Sequence, residues 1–181
     1  MTSWARHLLD ELEASGQTGA EAARYIRERG IQLGLRDQPT AARWKLGRKI
    51  ELHPRYVQGK QTAPYALSLV VHEIQHLKQG PMTALSVYGE LDAWQVQFKY
   101  LIGLPGSRAG FPGRAPLIDE LLTLPLGWDR SVLRRARSLM WQYAGRRYRI
   151  DILPLYPFHQ ELLYAIAHRR PSELGAPRSI A

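Results

Sequence analysis

A chain of 181 residues can bury one substantial core, and 45% hydrophobic against 23% charged residues marks it as globular rather than disordered. It contains no cysteine, which excludes disulfides and thiolate metal sites, so any metal must be held by His, Asp or Glu. The net charge of +9 comes mostly from arginine and includes no basic run interleaved with aromatics; it is read as a solvated surface, with nucleic acid the less favoured partner.

The chain opens on an amphipathic segment. Leu8, Leu9 and Leu12 form one stripe of a helix over Trp4 to Ala14, which carries charges throughout and lacks the apolar core of a secretory signal. No apolar run approaches a membrane span, so a cytoplasmic protein without a membrane partner is expected. A second helix, capped by Thr18, runs to Arg29 and ends at Gly30. The period then changes to two. IQLGL, ARWKL and KIELH read as strands of a small antiparallel-type sheet, with a tight turn at Gly47 and Arg48. Ile50 and Leu52 face one side, Glu51 and His53 the other.

Helical spacing resumes with Leu67, Val70, Val71, Ile74 and Leu77, behind a cap at Thr62 and Pro64 in the first turn. Gly80 and Pro81 stop this helix, and Thr83 to Ile102 reads as the next, with Gly89 a weak point inside it. Residues 103–116 form a Gly- and Pro-rich loop. Leu117 to Leu124, Ser131 to Tyr143 and Phe158 to His168 read as helices, RRYRIDIL as a short strand, and Arg130, Arg134 and Arg137 share one helix face. The fold class is α+β: residues 1–103 carry the sheet and two long helices, and residues 104–181 a mainly helical lobe.

The chemistry concentrates in VVHEIQHLKQ. His72 and His76, four apart on a helix, present both imidazoles to one ion. Glu73, next to the first ligand, is set to accept a proton from an activated water rather than to bind the same ion. Such an ion needs a third protein ligand. Six residues after His76, where metzincins place a histidine, stands Met82, and Gln79 occupies the position of their glycine.

Downstream, YGELDAWQVQ carries Glu90 followed three residues later by Ala93. Together with the HExxH helix, this resembles the gluzincin clan of zincin metallopeptidases over His72 to Trp94. The resemblance implies a Zn2+ ion held by His72, His76 and Glu90, with Glu73 as general base and a peptide or protein substrate. Asp92 is the rival third ligand, pointing about 200° away from Glu90 around the helix. Where many clan members have an Asp or Asn that supports a histidine ligand, this chain has Trp94. The resemblance also implies an exposed sheet edge near Ile50 to His53 for the substrate to join. It calls for an electrophile from the downstream lobe, for which Tyr148, Tyr156, His159, His168 and, more distantly, Tyr88 qualify by type. The alternative is a zincin-like module that holds zinc without turnover and serves regulation or nucleic-acid association, supported by the arginines between Arg130 and Arg149.

Overall fold

The structure is a computed structural model that describes residues 2–45, 48–56, 64–105 and 115–167. It is α+β, with eight α-helices and one three-stranded sheet among the described residues. Helices α1 (Ser3–Ala14) and α2 (Gln17–Arg29) pack side by side. Gly19 permits their close approach, because a Cβ there would lie 2.2 Å from the Leu12 carbonyl oxygen. The N-cap of α2 is Gly16 and not Thr18, which lies inside the first turn, and Gly30 closes the helix in the left-handed conformation at φ 60°.

Strands β1 (Gln32–Leu35), β2 (Ala42–Lys45) and β3 (Lys49–Leu52) take the spatial order β1-β3-β2. The sheet is mixed, not antiparallel: β3 runs parallel to β1 and antiparallel to β2. The β2–β3 hairpin folds back between its own first arm and β1, so β3 becomes the central strand. Its Ile50, Glu51 and Leu52 are all buried as a result. The hairpin turn is described only at Arg48, which has φ 62°; Gly47 lies outside the described residues, as does the Thr62 cap.

Helix α3 (Pro64–Gln79) starts on its proline and ends at Gly80, whose φ of 76° no other residue adopts cheaply. It packs against α5 (Val87–Gly103), α2 and β2. These neighbours surround it, so Ser68, His72, Glu73 and His76 are buried as well as its apolar stripe. Between α3 and α5 the chain makes a separate short helix α4 (Pro81–Ala84). Helix α5 starts at Ser86, whose Oγ accepts the Gly89 N–H at 3.0 Å, instead of running unbroken from Thr83.

Helices α6 (Ala115–Thr123) and α7 (Arg130–Ala144) pack on α5, and α8 (Phe158–Ala167) lies beside α4. RRYRIDIL forms two 3-10 turns, Arg146–Tyr148 and Ile150–Ile152, and not a strand. Arg149, at φ 54°, breaks the extension between them. One cluster of buried apolar residues runs from Leu8 through Val70 and Phe98 to Leu139 and Tyr156. No helix among the described residues is long and apolar enough to cross a membrane.

Candidate metal centre

His72 and His76 project from the same face of α3, with Nε2 atoms 2.9 Å apart. The Ser86 cap sets the start of α5, and its first turn brings Glu90 to the same point. Glu90 Oε2 lies 3.6 Å from His72 Nε2, and Oε1 lies 3.5 Å from His76 Nε2. Tetrahedral zinc with bonds of about 2.0–2.1 Å needs donor atoms roughly 3.3 Å apart. The three donors therefore outline a site of the right size, two buried imidazoles and a half-buried carboxylate of the chemistry zinc prefers.

The electrostatics show what is held without an ion. Burial, reinforced by the charge on His76, pushes the His72 imidazolium down to about 3. Burial also opposes charge on His76, but Glu90 outweighs it and lifts that group to about 9. Burial likewise works against the Glu90 carboxylate, and His76, His72 and Tyr148 overcome it, holding its pKa below the ordinary value. His76, His72 and Glu90 thus share one proton in a space that suits a cation. His72 Nδ1 is buried and makes no hydrogen bond of its own.

Asp92 does not join the three donors. Its Oδ2 accepts from Gln75 Nε2 and Gln79 Nε2, both at 2.7 Å. Gln79 Nε2 also donates to the Gly89 carbonyl at 2.9 Å, so its Oε1 is the atom left to face His76 Nδ1, at 3.1 Å. That contact holds a ring proton on Nδ1, so Nε2 is the nitrogen that would lose its proton and offer a lone pair to a cation. The acidic support expected of a Trp94 position thus comes from Asp92 through Gln79. Gln79 was legible as a helical neighbour three residues after His76, but its role depends on Asp92 from another helix.

Trp94 serves Glu90 instead. Its Nε1–H donates to the Tyr148 oxygen at 2.7 Å, and the Tyr148 hydroxyl donates to Glu90 Oε2. Burial and Glu90 raise the Tyr148 pKa well above its ordinary value, so the phenol keeps its proton. The other electrophile candidates lie elsewhere. Tyr156 donates to the Trp128 carbonyl, Tyr88 stacks on Trp128 with centroids 4.7 Å apart, and His159 is exposed on α8. His168 lies outside the described residues.

Glu73 faces a cleft of about 240 Å³ together with His72. One wall is the approach to β2, Thr40 to Ala42; the opposite wall is Tyr143, Ala144 and Tyr148 from the C-terminal half; Tyr56 and Tyr65 line it further along. Burial, aided by the charge of Glu90, raises the Glu73 carboxyl to about 7, although His76 and the Trp44 N–H favour its ionised form. The open sheet edge beside the site is β2, not the segment Ile50 to His53, because β3 is enclosed by its two neighbours. His53 N–H donates to the Ala41 carbonyl, which fixes the antiparallel alternation: Arg43 and Lys45 bond inward, while Ala42 and Trp44 turn their backbone groups outward.

No protein-family model matches this chain, and no curated protein and no solved structure is detectably similar to it.

Proposed function

We propose that this protein is a zinc-dependent peptidase, with His72, His76 and Glu90 as metal ligands and Glu73 as general base. One observation carries the reading: two buried histidines and a half-buried carboxylate gather their donor atoms at one point, beside the Glu73 carboxyl that lines a cleft. Zinc in such a site supplies a Lewis acid that polarises a carbonyl and acidifies water.

The remaining steps belong to the protein's own groups. A peptide extended along β2 pairs with the outward backbone groups of Ala42 and adds an antiparallel strand. That strand lays a scissile carbonyl over His72 and Glu73. Glu73, poised near neutrality by burial, takes the proton of the attacking water and returns it to the leaving amine. Tyr148, held by Trp94, lines the same cleft; its single proton rests on Glu90 Oε2 and turns from there to the oxygen on which charge develops.

A nucleic-acid-binding module has a thinner basis. Of the arginines on α7, Arg130 lies over the Tyr164 ring, Arg137 donates to the Leu153 carbonyl and Arg135 pairs with Glu120. The test is hydrolysis of a broad peptide library before chelation, after chelation and after return of stoichiometric zinc. The proposal expects cleavage, loss and recovery. Cleavage that survives complete zinc removal, or a zinc-loaded protein that cleaves no peptide, contradicts it.

A further inference from the structure

Helix α8 is inside out. Its apolar stripe, Phe158, Leu162 and Ile166 at i, i+4 and i+8, faces solvent with 62%, 54% and 59% exposure. The residues that turn inward are polar: Gln160 and Glu161 are the half-buried positions of the helix. Glu161 Oε1 accepts the Leu155 and Tyr156 N–H groups at 3.1 and 3.2 Å, and the Tyr164 ring meets that of Tyr156, so α8 is tied down without its aliphatic stripe. Beside it, Met82 and Leu85 near α4 are also exposed. A contiguous apolar surface of this kind marks an interaction site.

Charge selects the occupant. Arg130, Arg134 and Arg137 share one face of α7 and lie within electrostatic reach of one another and of Glu161. Arg130 sits 4.3 Å from the centroid of the Tyr164 ring on α8, and Arg134 is exposed. Asp151 and Glu161 act on Arg137, and Asp129 caps the start of α7, which leaves Arg134 as the exposed, uncompensated member of the row. A net charge of +9 opposes pairing with a second copy of the chain. Residues 168–181 offer only Leu174 and Ile180 as large aliphatic side chains to cover the stripe, and add Arg169, Arg170 and Arg178 to the positive charge. A polyanion such as nucleic acid would satisfy the arginines and leave Phe158, Leu162 and Ile166 in water.

From this juxtaposition we infer that α8 and the arginine row of α7 dock the protein on an anionic lipid surface. The apolar stripe enters the boundary between headgroups and acyl chains, and exposed Arg134, backed by the charge of Arg130 and Arg137, meets the headgroup phosphates. No helix among the described residues is long and apolar enough to span the bilayer, and the attachment is reversible and sensitive to salt.

The test is vesicle flotation of the full chain with phosphatidylcholine vesicles and with an equal mixture of phosphatidylcholine and phosphatidylglycerol. Wild type should float with the mixed vesicles and be released by high salt. The double variant Leu162→Asn, Ile166→Asn changes only exposed residues and should keep its circular dichroism spectrum while binding about 100-fold more weakly. Arg134→Glu should weaken binding to the mixed vesicles alone. Failure of wild type to float, equal flotation of the double variant, or equal binding to both vesicle types would overturn the inference. So would a wild-type dimer in sedimentation that the double variant abolishes, because a second copy would then cover the stripe.

Discussion

At the scale of single residues, the candidate site was half legible. HExxH is a local pattern, and helix geometry alone carries His72 and His76 to one point. Gln79 and Tyr148 act through partners on other elements, and Tyr148 meets Glu90 from 58 positions away. Gln79 was legible only as a helical neighbour of His76, and Tyr148 only as one of five candidates by residue type. Gln79 gives the first test: Gln79→Ala frees the His76 ring and should weaken zinc binding about 10–100-fold without unfolding the chain. Competition titration with a zinc indicator reads this, and an unchanged affinity would remove Gln79 from the site. Glu51 gives the second. Its side chain is covered by Lys49, Lys45, Arg43 and Arg36 at 2.9 to 3.7 Å, and Lys49 leads in holding its pKa at about 2. The folded value is below the unfolded one of about 4.3, so Glu51 stabilises the protein fully above that pH and the contribution fades as the pH falls to about 2. Denaturant midpoints of wild type and Glu51→Gln should therefore differ at neutral pH and converge across this acid window. A constant difference would mean that the four cations act on something else.

At the scale of elements, helices with a continuous apolar stripe were readable, as were the stops at Gly30 and Gly80, but the break between α4 and α5 and the turns of RRYRIDIL were not. Alternation in RRYRIDIL imitates a strand, but the segment folds into two short turns: Ile150 is buried as an anchor and Arg149 turns left-handed. The mixed sheet order was likewise invisible, because period-two patterning reports which side chains are inward and says nothing of which strand lies between the others. Gly89 is the clearest case. It reads as a flaw in a helix, yet a Cβ there would stand 2.1 Å from the Thr83 carbonyl oxygen, so glycine lets α4 fold back on the first turn of α5. Gly89→Ala should cost about 1–3 kcal/mol and displace Glu90, its neighbour. Thermal unfolding together with zinc affinity measures both effects. A stable variant with unaltered zinc binding would show that the close packing is dispensable.

At the scale of the whole molecule, the buried apolar residues of both halves of the chain form one cluster. Leu8 on α1 and Leu139 on α7 are each fully buried in it. Leu8→Ala and Leu139→Ala should each cost about 2–5 kcal/mol and move the same cooperative transition. Two separate transitions, with Leu139→Ala moving only one, would show that the halves fold independently. A single core has a consequence for the cleft: Tyr143, Ala144 and Tyr148 form a wall that the first 103 residues do not supply.

The activity of the assembled site is tested most directly at Glu73. Removing a ligand would take the metal as well and mix structure with chemistry. Glu73→Gln preserves size, leaves all three proposed ligands intact and deletes only the proton acceptor. The measurement is peptide hydrolysis by wild type and this variant, with bound zinc determined on the same samples. The account predicts one zinc per chain in both and a rate lower by about 10²–10⁴-fold in the variant. Equal rates from two equally zinc-loaded proteins would contradict it.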